Sequence, residues 1–454
     1  MSAALALRDL GAEVTLVEAS DRFGGVIQTE RVGDYLIDAG PDSFLSTKPE
    51  GIGLAQQLGL EQRLVNTRAD GGGTFILRKG KLVPLPEGIT LLVPTQFKAV
   101  AKTPLLTPLG KARLMMDYVI PARKTQQDES VGSFVTRRMG RQAFENMAEP
   151  LLSGIYAGDA SQLSLASTFP RLRDVELKHG GIIRGAIAQR KAQKAAASTS
   201  PTRKHTPFVS LENGMGEFIT ALVNTLDGCD LWLETALQQL EQTPDGYRAS
   251  LSDGSIVDVD GVLLSTPAPV SASILEASAP ELATALREIP YVSSSTVSIA
   301  FKESDVAGKQ GGRGFVIPRV EGRSLTAITW SSNKFAGRVP DGVALLRGFV
   351  GRAGQEENAF LPDDQLIALV RHELAAITGI TADPILTRIY RWPNAMPQYN
   401  IGHGGRLTRI DQRLSSLPHL ALTGSAYRGV GIPDCIRNAG DQATALFTRV
   451  TLTS

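Results

Sequence analysis

A chain of 454 residues is too long for one simple core, so two or three domains are expected. The composition is that of an ordinary globular protein, 42% hydrophobic and 20% charged, and 47 Lys+Arg against 46 Asp+Glu leave a formal net charge of +1. That balance supplies no field to gather nucleic acid, and two cysteines, Cys229 and Cys435, exclude a disulfide framework or a four-thiolate metal site.

The N-terminus lacks a basic region ahead of an apolar stretch, so no signal peptide is read. No run of 18 uncharged apolar residues is present. The expectation is a cytoplasmic protein, with peripheral attachment to a membrane left open.

In chain order, residues 4–10 (ALALRDL) read as a helix with Gly11 as its C-cap. VTLVE (14–18) is a short buried strand. It leads into E-x-x-x-R-x-G-G, formed by Glu18, Arg22, Gly24 and Gly25. An acid ending the second strand of a dinucleotide fold accepts hydrogen bonds from ribose hydroxyls. An Arg at this spacing can meet pyrophosphate or ribose, and the two glycines let backbone N–H groups approach a ligand without a Cβ in the way. Glu18 alone would be read as a surface acid; the four positions together favour the nucleotide reading.

YLIDAGPDSF (35–44) is a strand running into a Gly-Pro turn, Gly40, Pro41, Asp42 and Ser43. TFILRKGKLVPLP (74–86) reads as a hairpin around Lys79-Gly80. From 88 to 188 the pattern is mostly helical, with QFKAVAKTPLL and GKARLMMDYVI as amphipathic pieces. Residues 189–207 are basic and rich in Ala, Ser and Thr, and read as a mobile solvated loop. A turn and helix (209–226), a strand meander (231–267), a strand-rich stretch (290–350), a helix (363–379) and the strand ILTRIYRW follow. The chain closes with a strand ending at Gly424, a turn bearing Gly429, Val430 and Gly431, and a helix that begins beside Ile432, near Pro433-Asp434.

A helix start presents free N–H groups and a positive dipole end. Aimed at the edge of a flavin ring, it would stabilise the charge the ring gains on reduction. Cys435 lies inside that helix and reads as a packing residue. His403 sits in a Gly-rich turn and reads as structural, with a general base as the rival reading. His179, His205, His372 and His419 show no metal-ligand spacing, so no metal is expected.

With these pieces in place, the chain resembles the flavin-dependent, oxygen-using porphyrinogen oxidases of haem synthesis, the coproporphyrinogen and protoporphyrinogen oxidases. The resemblance runs through VTLVEASDRFGG, IDAGPDSF, MAEPLLSGIYAGDASQLSLASTFPRL, RWPNAMPQYNIGH and GSAYRGVGIPDCI. The third and fourth are the most particular to these enzymes; E-x-x-x-R-x-G-G and the C-terminal turn also suit amine oxidases and carotene desaturases. The resemblance implies an α/β architecture. A discontinuous Rossmann-like FAD-binding domain (1–85, 208–272 and 405–454) lacks its first strand. An α+β substrate domain (273–404) and a helical, membrane-associated domain (86–207) are inserted into it.

The implied FAD contacts are Glu18, Val26, Gly40, Pro41, Asp42, Ser43, Leu237, Trp392 and the Val430–Ile432 turn. Arg22, Gly24, Gly25, Gly424 and Gly431 join them from the motifs above. The implied partners are a porphyrinogen and O2, with a homodimer and peripheral membrane contact as further expectations. One branch places an Arg for a substrate propionate where this chain has Thr90; its absence and the IPDC sequence favour coproporphyrinogen over protoporphyrinogen. Lys79, Lys81, Arg347 and Arg406 are the candidate propionate partners. The rival readings are another flavin amine oxidase or desaturase, and a porphyrin-binding protein without flavin.

The family places a strand and G-x-G-x-x-G ahead of the first helix. Here Met1 falls just after the last of those glycines. The expectation is that about 15–20 residues belong upstream, by the size of a strand and its turn. A polypeptide starting at Met1 would then bind FAD poorly.

Overall fold

Small residues make the first long-range contact of the chain. Helix Ser2–Asp9 buries Ala3, Ala4 and Leu5, and Ala3 packs with Ala439 and Ala443 of the C-terminal helix Ile432–Thr453. Side chains no larger than a methyl let two helices approach closely at that crossing. The computed structural model describes residues 1–86, 89–90, 93–94, 101–125, 127–196, 205–309 and 311–453. They divide into two units, one of Met1–Asn66, His205–Pro290 and His403–Ser454, the other of Thr67–Lys204 and Tyr291–Gly402.

The first unit holds two parallel strand pairs. Thr15–Val17 pairs with Asp230–Trp232, and Val262–Leu264 pairs with Leu420–Leu422. No strand among the described residues joins the two pairs. Parallel strands need cover on both faces. A cluster of Leu5, Phe44, Leu54, Val209, Phe218 and Leu222 supplies part of it. Phe44 and Phe218 meet edge to face, ring centroids 5.7 Å apart.

The second unit is built on a seven-stranded sheet. Its order is Leu386–Pro397, Tyr291–Lys302, Val343–Val350, Leu325–Trp330, Gly314–Val316, Thr74–Arg78 and Lys81–Pro84. One face buries Val297, Ile299, Phe301, Ile328 and Leu346 against Leu366, Val370 and Leu374 of helix Asp363–Thr378. Period-2 alternation sends Ser298, Thr296 and Arg347 to the other face.

The hairpin at 74–84 forms as expected, but in this unit and not with residues 1–66. Thr74–Ile76 pair in parallel with Gly314–Val316, and Leu77 is buried in the sheet's core. The described helices of 101–196 also belong to this unit, while helix Pro280–Arg287 belongs to the first. Residues 189–196, read as loop, continue helix Ile182–Ala196, because AQKAA is rich in strong helix formers. Residues 197–204 of that loop and 96–100 of QFKAVAKTPLL lie outside the described residues.

The helical part is pinned by buried charge. Asp117, Arg138 and Glu176 have fully buried side chains, and Arg138 Nε donates to Asp117 Oδ1 at 2.5 Å. Arg137 bridges Glu129 and Glu176, each at 2.7 Å. No described helix is long and apolar enough to cross a membrane.

Candidate functional site

The end of strand Thr15–Val17 is fixed by backbone. Glu18 N donates to Trp232 O, and Thr235 N donates to Glu18 O, both at 2.9 Å. The half-buried Glu18 carboxylate accepts from Ser20 N (2.9 Å) and Ser20 Oγ (2.8 Å). The head of helix Ser2–Asp9 is near it: burial pushes the pKa of the Met1 amino group down, and the Glu18 charge acts the other way.

Arg22 takes a structural part. Its guanidinium donates to Gly25 O at 2.6 Å and Ile27 O at 3.3 Å, holding the glycine turn closed from behind. Gly24 (φ +111) and Gly25 (φ +56) both adopt backbone that favours glycine. A Cβ on Gly24 would strike Ile219, whereas nothing stands within 4 Å of a Cβ on Gly25. Val26 beside it is 45% exposed.

Leu237 opens strand Leu237–Gln242, just after the Thr235 bond to Glu18, and a register shift follows it. Gly40–Ser43 leave strand Tyr35–Asp38, with Asp42 buried and accepting from Ser43 Oγ at 2.8 Å.

The C-terminal turn is the second half of the site. Strand Leu420–Leu422 runs into Thr423, whose N donates to Leu264 O at 2.9 Å. Gly424 (φ +114) and Gly429 (φ +131) then bend the chain to the helix start at Ile432. Asp434, in the first helical turn, is bound by Lys48 and by Arg437 (3.1 Å); Arg437 also reaches Glu50 at 3.3 Å. An acid at a helix N-terminus is favourable, and here it also ties the helix to the loop after Ser43. Ile27 and Ile432 pack against one apolar cluster, so the two glycine-bearing turns share a floor.

Burial raises the Cys435 thiol to about 11, with Asp434 adding to it, so the thiol stays protonated at neutral pH and serves packing. His403 is buried, its Nε2 3.0 Å from Tyr427 O, and burial first, then Arg406 and Arg428, hold its pKa down. A neutral ring braced on a carbonyl of this turn fits the structural reading.

Several contributors carry no motif. Asp38 Oδ1 accepts from Met215 N (2.8 Å) and Thr29 Oγ1 (2.7 Å), anchoring the start of helix Gly216–Thr225. Lys48 and Asn438 are likewise silent in sequence. The signal available was an acid at the end of a buried strand, which is rarely left unpaired.

In the second unit the two most specific motifs meet. Gln398 Nε2 donates to Tyr156 O at 2.8 Å, and its Oε1 lies where a Cβ on Gly158 would go. Ser164 N donates to Tyr399 O (2.7 Å) and Ile401 N to Gln162 O (2.8 Å). Trp392 sits on strand Leu386–Pro397, its Nε1 buried without a partner among the described residues. Of the four candidate cations, Lys79 and Lys81 are exposed on the hairpin turn and Arg406 faces Glu288 at 3.9 Å. Arg347 is buried in the sheet. Thr90 pairs with Val93 in a short hairpin.

The residues of the first unit fit a flavin dinucleotide. An acceptor closes the second strand, a glycine turn leaves room beside Gly25, and a helix start follows a second glycine turn. Thr423 Oγ1 and Asn438 Nδ2, both buried without a hydrogen-bond partner among the described residues, flank that turn. Buried polar atoms of this kind call for a partner.

The family model for flavin containing amine oxidoreductase matches residues 1–446. The chain is 36% identical to coproporphyrinogen III oxidase of Bacillus subtilis (strain 168), over 97% of this chain and 94% of that one. It is 33% identical to the Staphylococcus aureus coproporphyrinogen III oxidase, covering 94% and 92%. A crystal structure from Exiguobacterium sp. 255-15, assigned as a protoporphyrinogen oxidase, superposes with a TM-score of 0.87 at 31% identity over 98% of this chain and 95% of that one. Cyclohexylamine oxidase from Brevibacterium oxydans shares the fold (TM-score 0.70) at 15% identity, over 99% and 96%. The site residues, the α/β fold and the match over nearly the whole chain lead to one conclusion: the chain belongs to the flavin containing amine oxidoreductases, and FAD is its cofactor.

Proposed function

We propose that the protein oxidises coproporphyrinogen III to coproporphyrin III, with O2 as the final acceptor. The reading is carried by one observation: the motifs most particular to porphyrinogen oxidases, YAGDASQLS and AMPQYNI, are locked together by Gln398, Tyr399 and Ile401. The relatives named coproporphyrinogen III oxidase support the same substrate.

In this reading the first unit holds the cofactor and the second the substrate. Glu18 accepts from the ribose hydroxyls, the N–H groups of Gly24–Val26 face the pyrophosphate, and Gly40–Ser43 and Leu237 line the nucleotide. The helix start at Val430–Ile432 presents its positive end to the ring edge. Bound FAD supplies hydride acceptance and reoxidation by O2. The protein's own work is orientation and charge stabilisation, because the oxidation needs no dedicated base and the buried, neutral His403 is braced on Tyr427.

Peripheral membrane contact fits the helical segment, where Leu109, Met115, Met116, Tyr118 and Val119 are exposed. Clustered apolar exposure of this kind marks an interaction surface.

The test is porphyrin fluorescence growth in air with the FAD-saturated protein. Coproporphyrinogen III should be turned over at least about tenfold faster, in kcat/KM, than protoporphyrinogen IX. The second reading, protoporphyrinogen oxidase, is favoured by the Exiguobacterium structure and by 29% identity to the Nicotiana tabacum chloroplastic protoporphyrinogen oxidase. The opposite preference would establish it. Turnover of amines with neither porphyrinogen oxidised would refute both.

A further inference from the structure

Helix Glu149–Tyr156 carries the EPLLSGIY stretch of the third motif and has unusual backbone at each end. A π-helical turn, Phe144–Ala148, leads into it, and Ala157 closes it at φ +48. A π turn set in a helix often accompanies a functional site. An alanine in left-handed backbone persists only where its surroundings hold it there.

The bonds that hold Ala157 form a circuit starting at the other end of the same helix. Glu149 is buried; its Oε2 accepts from Arg319 N at 2.9 Å, and its Oε1 lies 3.8 Å from Arg319 Nε. Arg319 Nη1 donates to Ala353 O at 3.0 Å, and Ala353 N donates to Ala157 O at 2.8 Å. Arg352, fully buried, laces the same two loops together. Its Nε donates to Gln355 Oε1 at 2.7 Å and its Nη2 to Arg323 O at 3.3 Å. Among the described residues, Glu149 is the carboxylate within ion-pairing distance of Arg319, and Arg352 has none that close. One buried carboxylate therefore balances two guanidinium groups. Burial first, then the Arg319 charge, pushes the Arg352 pKa down, and Glu149 holds it up. The circuit ends where the two motifs meet: Tyr156 O accepts from Gln398 Nε2 at 2.8 Å, and a Cβ on Gly158 would strike Gln398 Oε1. A shift of the turn at Ala157 passes straight to Gln398.

We infer that Glu149 is a positioning residue for the tetrapyrrole: acting through Arg319 and Ala353, its charge holds the left-handed turn at Ala157 and thereby seats Gln398. This rests on the porphyrinogen reading above, which makes the junction of the two motifs part of the substrate site. The charge matters as well as the hydrogen bond. A glutamine at 149 still accepts from Arg319 N, but it leaves two guanidinium groups in a buried setting without their counter-charge. The loops bearing Arg319 and Ala353 then lose what draws them to the helix, and Ala157 is free to leave its strained conformation.

The experiment measures binding of coproporphyrin III, the air-stable product, to the FAD-saturated protein by Soret shift, together with coproporphyrinogen III turnover. Glu149→Gln and Arg319→Gln should each raise Kd and KM about tenfold while kcat changes less than about twofold and flavin content is kept. The double variant should be no weaker than the worse single one, because both break the same circuit. Ala157→Gly placed in the Glu149→Gln protein should recover about threefold or more of the affinity, since glycine takes left-handed backbone without support. A purely structural loss at Glu149 would not be rescued at that one turn. Arg319, more exposed than Glu149, carries the test if Glu149→Gln does not fold, with thermal midpoint as the check. Folded variants with wild-type porphyrin affinity, losses that multiply in the double variant, or no recovery from Ala157→Gly would overturn the assignment and leave the porphyrinogen reading standing. A wild type that binds no porphyrin and oxidises no porphyrinogen would overturn both.

Discussion

Gly429→Ala is expected to cost the protein most of its flavin. Gly429 has φ +131, a conformation that L side chains resist, and a Cβ there would lie 2.5 Å from Asp434 Cβ and 2.7 Å from Asp434 Cγ. Asp434 cannot step aside freely, because Lys48 and Arg437 hold its carboxylate. The strain and the overlap together cost about 2–4 kcal/mol. They fall on the turn proposed to present its N–H groups to the flavin ring. FAD affinity should fall at least tenfold, about 1.4 kcal/mol or more, read from the 450 to 280 nm absorbance ratio and a titration. Gly405→Ala is the control: it lies in helix His403–Leu414 with nothing near its Cβ, and should leave flavin and thermal midpoint unchanged or slightly raised. A Gly429→Ala protein with full flavin would mean that the turn does not need glycine.

The largest stability effect is expected at Arg138→Met. The Arg138 guanidinium serves Asp117 and the carbonyls of Asp117 (2.8 Å), Ile120 (2.9 Å), Pro121 (3.1 Å) and Gly180 (3.2 Å). Removing it leaves Asp117 buried, with Ile183 N–H at 2.7 Å as a remaining donor. Breaking one side of a buried pair costs about 3–5 kcal/mol, and urea unfolding followed by circular dichroism should show it. An unchanged midpoint would contradict the burial.

The same cluster predicts acid sensitivity. Burial works against the Glu176 charge, but Arg137, the Arg123 N–H and Arg173 outweigh it and hold the carboxyl below its usual range. A carboxyl with a lowered folded-state pKa contributes stability above its unfolded value, about 4.3. That contribution is lost as pH falls through the folded value. Arg137→Gln should therefore flatten the acid limb of the stability profile below about pH 4.5.

The sequence made the cofactor motifs legible because their chemistry is local. E-x-x-x-R-x-G-G is one turn, and Pro433-Asp434 marks a helix start wherever it occurs. Arg22 was the exception: its fork spans Gly25 O and Ile27 O, a contact that no spacing rule announces. The partners that arrive from far along the chain were silent. Lys48 meets Asp434, Asp38 meets Met215 N, and Gln398 meets Tyr156 O, each a pair that only the assembled fold brings together.

The pairing within the second unit's sheet was silent in the same way. The 74–84 hairpin has a correct local pattern, yet its parallel partner Gly314–Val316 lies more than two hundred residues away. Residues 189–196 were misread because polarity outweighed helix propensity in the reading, whereas AQKAA favours helix whether or not it is buried.

The most direct test of the central claim is an anaerobic single turnover. Mixing the FAD-saturated protein with coproporphyrinogen III should bleach the 450 nm band, and admitting air should restore it as the porphyrin Soret band grows. A flavin that stays oxidised with coproporphyrinogen III and protoporphyrinogen IX alike, yet bleaches with an amine, would contradict the account.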